Sequence, residues 1–112
     1  MSIIDEFHPF NELDVAEAER LAILAEEAGE IVQAVCKTLR HGYESQPPGG
    51  GLTNREYLAR EVGDLLGVLD LMVERQDLDG DLLAKFRREK QGRMVKYLHH
   101  NLIRPNTSTE AK

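Results

Sequence analysis

Two pairs of carboxylates, each with members three residues apart, are the side chains of this sequence best suited to chemistry. Glu27 and Glu30 form one pair, and Glu61 and Asp64 form the other. Residues three apart on a helix lie on the same side, so each pair can direct its oxygens to one place. Oxygen-only ligation is typical of Mg²⁺ and Mn²⁺. The pattern therefore indicates a divalent-metal site, although the first pair taken alone is equally consistent with an exposed acidic face.

Glu61 lies at the edge of the apolar stripe of its own helix. The apolar residues three, four, seven and eleven positions away, on the same side, are Leu58, Leu65, Val68 and Met72. A carboxylate directed toward a core costs free energy unless it is paired or binds a metal. The alternative to a metal is a salt bridge from Glu61 to a lysine or arginine, and the sequence leaves both open.

Basic residues near these acids could bind an anion. Lys37 lies two turns beyond Glu30 on the carboxylate side of the first helix, and Lys90 and Arg93 share a side of a later helix with apolar residues. Long basic side chains can lie along apolar surface and place their charge at its edge. The alternative is that all three are ordinary solvent-exposed charges.

Composition argues against several other classes of protein. The chain has 112 residues and a formal net charge of -6, and this acidic balance disfavours binding to polymeric nucleic acid. No apolar run approaches the roughly 20 residues of a membrane span. The first ten residues also lack the basic and apolar regions of a secretory signal. We therefore expect a cytoplasmic protein that does not bind a membrane.

Motifs for other kinds of catalysis are missing from the sequence. There is no Walker loop, no dinucleotide fingerprint and no Glu-x-x-His pair of the kind that holds a di-iron centre. The single cysteine, Cys36, excludes an internal disulfide and a multi-cysteine zinc site. No serine, cysteine or histidine stands in an arrangement typical of a nucleophile.

Helical periodicity predicts one all-α domain of three helices over residues 11–101. Asn11 is the expected N-cap of the first helix, which runs to Gly42. Thr53 and Glu56 form a capping-box pattern at the start of the second helix. The remaining expected segments are a Pro- and Gly-rich loop over 42–52, a second helix to about 76, a third over roughly 81–100, and a disordered tail over 102–112.

The predicted first helix is long for a domain of this size. About 30 helical residues extend roughly 45 Å, which exceeds the width of a compact domain of this length. Such a helix must kink or extend along a partner chain. We favour the second possibility and predict a homo-oligomer.

The two acidic motifs resemble those of a known enzyme superfamily. EEAGE at 26–30 followed by EVGD at 61–64 is similar to the signature of the all-α nucleoside triphosphate pyrophosphohydrolases, most closely the small MazG-like proteins of bacteria and phages. The similarity extends to RHG after the first helix and to YLHH near residue 100, and covers about residues 17–101.

The resemblance implies a fold, an activity and a cofactor. It implies a four-helix-type bundle completed by oligomerisation, as a dimer or tetramer. The implied reaction is cleavage of a nucleoside triphosphate to the monophosphate and pyrophosphate, with Mg²⁺ as cofactor and Mn²⁺ as a substitute. Two alternatives stay open: hydrolysis of a phosphoribosyl nucleotide, and a catalytically inactive helical module that binds a partner protein.

The resemblance also assigns roles to individual residues. Glu27, Glu30, Glu61 and Asp64 match the metal ligands of the family. Glu26 matches the additional acid of the first motif, and together with Glu27 is the implied catalytic group that orients or deprotonates water. The implied phosphate-binding residues are Lys37, Lys90 and Arg93, with Arg40 as a further candidate.

The sequence departs from the family pattern in two respects. Thirty residues separate the acidic motifs, which is at the long end for the family, and the PPGGG segment accounts for the excess. The chain has no tryptophan, so the aromatic platform that some relatives use for the base is replaced or missing. The first departure hardly affects the chemistry, whereas the second leaves the choice of base open.

Overall fold

A computed structural model describes residues 11–100, and this part of the chain contains three α-helices and no β-strand. The helices are α1, Val15–His41, α2, Asn54–Glu74, and α3, Gly80–Tyr97. The predicted all-α class is therefore confirmed for the described residues. The predicted tail, 102–112, lies outside them. None of the three helices is both long and apolar enough to cross a bilayer.

The N-cap of α1 is Asp14, so the prediction of Asn11 was wrong. The Asp14 carboxylate accepts a hydrogen bond from the Glu17 backbone N–H at 2.7 Å, and the Glu17 carboxylate accepts one from the Asp14 N–H at 2.8 Å. This reciprocal capping box satisfies two backbone donors at once. The Asn11 side chain accepts a single bond, from the N–H of Leu13, and stands before the helix.

The predicted start of α2 is confirmed. The Thr53 hydroxyl accepts a hydrogen bond from the Glu56 N–H at 3.1 Å, and the Glu56 carboxylate accepts one from the Thr53 N–H at 2.9 Å. The helix ends at Glu74, two residues before the predicted end. Gln76 has a positive φ of 68°, in the left-handed region that terminates a helix.

α1 and α2 form an antiparallel hairpin. Near the start of α1, Arg20 donates two hydrogen bonds to the carboxylate of Asp77, which follows α2. At the other end of the hairpin, the Asn54 side-chain amide donates to the carbonyl of Gly42 at 2.9 Å. Because each end of α1 is bonded to the opposite end of α2, the middles of the two helices face each other.

The core of this hairpin is small. Ala34 from α1 and Met72 from α2 are the buried apolar residues in the described part of the chain, at 4% and 1% exposure. Several apolar residues that recur at helical spacing along α1 are exposed instead, including Leu21, Val35 and, at 80% exposure, Leu39. The least exposed side of α1 carries the apolar residues Leu24, Ile31 and Ala34 together with Glu27 and Glu30, so the contact is partly polar.

The chain divides into two compact units, with the boundary between Leu78 and Asp79. The hairpin belongs to the first unit and α3 to the second. The N-cap of α3 is Asp79, whose carboxylate accepts hydrogen bonds from the N–H groups of Asp81 and Leu82. Its large apolar side chains at 40% exposure or more are Leu82, Leu83, Phe86, Met94, Val95 and Tyr97.

Candidate functional site

Three carboxylates meet where the middles of α1 and α2 face each other. Glu27 comes from α1, and Glu61 and Asp64 come from successive turns of α2. One oxygen from each lies within 4.8 Å of the other two. We call these three residues the acidic cluster. The antiparallel pairing of the two helices therefore brings both predicted acidic motifs to one place.

Two oxygens of the acidic cluster are buried and make no hydrogen bond within residues 11–100. They are Oε1 of Glu27 and Oε1 of Glu61. Glu61 as a whole is only 6% exposed and Glu27 is half-buried. A buried carboxylate without a partner is costly, and a bound cation removes that cost. The donor set fits Mg²⁺ or Mn²⁺, which prefer carboxylate oxygens.

The alternative to a metal was a salt bridge from Glu61 to a basic residue. In the described part of the chain, Glu61 forms no such salt bridge. The ion pairs there are Arg20–Asp77, Arg55–Glu44 and Lys85–Glu89. None of them includes Glu61. A buried charge of this kind, left without a basic partner, is unusual in a purely structural helix contact.

Glu30 joins the acidic cluster through Glu61. The pKa of Glu30 is raised because its protonated carboxyl group hydrogen-bonds to Glu61, and because it is desolvated and lies near further negative charge. The pKa of Glu27 is also raised, first by desolvation and then by repulsion from Glu30, Asp64 and Glu26. Both shifts have the same meaning: the site holds more negative charge than it can stabilise by itself.

A cavity of about 400 Å³ opens beside the acidic cluster. Its walls are formed by Glu30, Gln33, Ala34, Lys37, Tyr57, Arg60, Glu61 and Asp64. Acidic and basic side chains thus line the same space. This size is within the range of pockets that hold small molecules.

A second cavity, of about 380 Å³, shares Asp64 with the first and is more apolar. It is lined by Arg20, Ile23, Glu27, Gly63, Asp64, Gly67, Val68 and Leu71. A Cβ atom added at Gly63 or at Gly67 would meet no atom within 4 Å. The two glycines therefore leave open space beside α2 within this unit.

The remaining predicted site residues occupy different positions. Glu26 is exposed and lies near enough to Glu27 and Glu30 to raise both pKa values. Lys37 lines the first cavity, whereas Arg40 is exposed and lines neither cavity beside the acidic cluster. Lys90 and Arg93 are exposed on α3, in the second unit, so their predicted role in binding phosphate stays a prediction.

Sequence reasoning missed Tyr57 and Arg60, which line the first cavity. Both were present in a usable pattern, because Tyr57, Arg60, Glu61 and Asp64 follow the three- and four-residue spacing of one helix side. Tyr57 and Arg60 lie about one turn before Glu61 and Asp64 on this side of α2, so helical spacing is the signal that identifies them.

Comparison with known proteins identifies no relative of this chain. The chain matches no family model, and no curated protein and no solved structure is significantly similar to it. The resemblance to the pyrophosphohydrolases therefore rests on the two sequence motifs and stays a prediction.

Replacing Glu30 tests the charge balance of the site. The pKa of Glu30 is raised in the folded state. Protonation of Glu30 therefore stabilises the fold fully below the ordinary pKa of a glutamate, about 4.3. This stabilisation is lost as the pH rises through the raised pKa. Gln cannot ionise. Without metal, we therefore expect Glu30→Gln to melt at a higher temperature than the wild type at pH 8, and the difference to shrink at pH 5.

At pH 8, added Mg²⁺ should reverse the order of melting temperatures, so that the wild type melts above Glu30→Gln. A cation that binds only the folded protein raises the wild-type Tm by mass action, and Glu30→Gln should gain less. Thermal unfolding followed by circular dichroism, in EDTA and in Mg²⁺, measures both effects. Glu19→Gln, an exposed position on the same helix, is the matched control. Equal Tm values for Glu30→Gln and wild type in all four conditions would contradict the predicted role of Glu30.

Proposed function

We propose that this protein is a Mg²⁺-dependent nucleoside triphosphate pyrophosphohydrolase. The observation that carries the proposal is the acidic cluster, which has two buried oxygens without hydrogen bonds and whose Glu61 and Asp64 line a cavity that also contains basic side chains. A metal–triphosphate complex places a cation next to several negative charges. The cavity offers the complementary arrangement of carboxylates for the metal and cations for the phosphates.

Glu27, Glu61 and Asp64 would hold the metal, with Glu30 as the fourth carboxylate. When bound, Mg²⁺ supplies charge neutralisation for the triphosphate and lowers the pKa of a coordinated water. Protein groups in phosphoryl chemistry act mainly by positioning and by stabilising charge. In this proposal Lys37 binds phosphate oxygens, and Glu26 orients the attacking water or accepts its proton.

The proposed reaction consumes one water for each nucleotide. The water oxygen bonds to the α-phosphorus, and the bond from that phosphorus to the oxygen bridging the α- and β-phosphates breaks. The products are the nucleoside monophosphate and pyrophosphate. Apolar side chains that line the second cavity, such as Ile23 and Leu71, offer surface for an uncharged part of the substrate.

The proposal includes a homo-oligomer with a MazG-like bundle. Many large apolar side chains of the described residues are more than a third exposed, and the buried core is small. A small domain that buries little apolar surface commonly gains stability by association. Light scattering after size-exclusion chromatography would give a dimer or tetramer mass if this part of the proposal is right, and a monomer mass if it is wrong.

Incubation with a panel of canonical and modified nucleoside triphosphates tests the activity. The assay contains Mg²⁺ and resolves pyrophosphate from orthophosphate. Monophosphate with pyrophosphate supports the proposal and ranks the bases. Diphosphate with orthophosphate contradicts attack at the α-phosphorus, and hydrolysis confined to a phosphoribosyl nucleotide would favour that alternative substrate. No turnover with either Mg²⁺ or Mn²⁺ overturns the enzyme proposal in favour of a partner-binding module.

A further inference from the structure

One tyrosine ring that lines the first cavity lies close to two cationic side chains. The Nζ of Lys37, from α1, lies 5.5 Å from the centre of the Tyr57 ring, and the Cζ of Arg60, from α2, lies 4.9 Å from the same centre. Both distances are within the range of cation–π attraction. All three side chains line the cavity that also contains Glu61 and Asp64. We call Lys37, Tyr57 and Arg60 the basic cluster.

The two cations of the basic cluster make no ion pair within residues 11–100. Carboxylates that could neutralise them line the same cavity, yet no pair forms between the two sets within 4.0 Å. The cavity therefore keeps its opposite charges apart. Such an arrangement leaves the acids available to a cation and the bases available to an anion.

Arg55 provides a useful contrast on the same helix. Its Cζ lies 4.3 Å from the centre of the Tyr43 ring, so it too is held by an aromatic side chain. However, its Nε donates a hydrogen bond to the Glu44 carboxylate at 2.9 Å, and it does not line the cavity. Arg55 has an anionic partner already, whereas Arg60 has none in the described part of the chain.

We propose that the basic cluster is the subsite for the β- and γ-phosphates, the part of the substrate that leaves as pyrophosphate. This inference rests on the proposed function. A guanidinium group binds two phosphate oxygens in one plane, and an ammonium group adds a compact charge beside it. Two cations near one ring repel each other, and a polyanion between them relieves the repulsion. Tyr57 is the positioning residue that holds both cations at the cavity wall.

The test measures binding of inorganic pyrophosphate by calorimetry in metal-free buffer, and KM and kcat for the best nucleotide in Mg²⁺. Hydrogen bonds that involve a charged group are stronger than those between neutral groups. We therefore expect Arg60→Gln and Lys37→Gln each to weaken pyrophosphate binding about 10- to 100-fold. Both should also raise KM. Arg55→Gln, the matched control, should behave as the wild type in both measurements.

Tyr57 is tested by two substitutions with different outcomes. Tyr57→Phe keeps the ring, and we expect pyrophosphate affinity within about twofold of the wild type. Tyr57→Leu removes the ring and should weaken pyrophosphate binding about tenfold and raise KM. Tyr57 and Arg60 are both exposed positions on α2, so the helix should persist, as circular dichroism will verify.

The two proposals fail in distinguishable ways. Wild-type affinity for pyrophosphate and wild-type KM in both Arg60→Gln and Lys37→Gln overturn the subsite, even if nucleotides are hydrolysed. Specific loss of pyrophosphate binding in those variants supports the subsite, even if the wild type hydrolyses no nucleotide. Equal losses in Tyr57→Phe and Tyr57→Leu would overturn the role of the ring, because the effect would then come from the hydroxyl group.

Discussion

Glu61→Gln should lower the turnover of nucleoside triphosphates at least about 1000-fold while leaving the helices intact. Glu61 contributes a buried oxygen without a partner to the acidic cluster, and its proximity raises the pKa of Glu30. The amide that replaces it has the same shape, carries no charge and is a much weaker ligand for Mg²⁺. Loss of one well-placed electrostatic group commonly costs a hundred- to a thousand-fold in rate. A metal ligand should lie at the upper end of that range or above it, which corresponds to about 4 kcal/mol.

Two measurements distinguish a lost site from a lost fold. The far-ultraviolet circular dichroism of Glu61→Gln should equal that of the wild type, and the rise in Tm on adding Mg²⁺ should be largely lost. Asp70→Asn, which neutralises an exposed carboxylate on the same helix, should retain both activity and the metal response. Turnover by Glu61→Gln within tenfold of the wild type would falsify the assignment of the acidic cluster as the catalytic metal site.

Met72→Ala should cause the largest loss of stability among substitutions in the hairpin. Met72 is 1% exposed and is the largest fully buried side chain of the described residues. Replacing a buried methionine by alanine removes apolar contacts and leaves a cavity, which costs about 2–5 kcal/mol. Small domains are stable by only about 5–15 kcal/mol. We therefore expect urea to unfold the variant at a markedly lower concentration.

The control for Met72→Ala is the same substitution at an exposed position. Met94, on α3, is 42% exposed, and Met94→Ala should cost about 1 kcal/mol or less. Both variants are compared with the wild type at one protein concentration, because association would shift the midpoint. A loss below about 1 kcal/mol for Met72→Ala would show that the contact between α1 and α2 is not the stabilising core of the hairpin.

Local hydrogen-bonding patterns in the sequence correctly predicted the start of α2 and gave a wrong prediction for the start of α1. The Thr53–Glu56 pattern located the start of α2 because both partners of its capping box lie within four residues. The start of α1 was predicted at Asn11, but Asp14 is the cap, because Glu17 three positions later completes its capping box. A cap is decided by the reciprocal bond, so the residue three positions later must be considered together with the cap itself.

The acidic residues show which relations between side chains can be predicted from their spacing in the sequence. Spacing placed Glu27 beside Glu30 and Glu61 beside Asp64, since helix geometry relates residues on one helix. It also located Glu61 at an apolar edge. It did not reveal that the apolar residues Leu21, Val35 and Leu39 of α1 are exposed, or that Glu27 and Glu30 lie on the less exposed side of that helix. Which side of a helix is buried depends on the partner that covers it.

The sequence by itself determined the all-α class, the positions of the breaks between the helices, and the two acidic pairs. These follow from interactions between residues that are close along the chain. Only the tertiary structure decided that Glu27 of α1 meets Glu61 and Asp64 of α2 within 4.8 Å, and that Lys37 and Arg60 both lie close to the ring of Tyr57. Those relations join residues on different helices, and they depend on how the hairpin closes, which no periodicity within a single helix specifies.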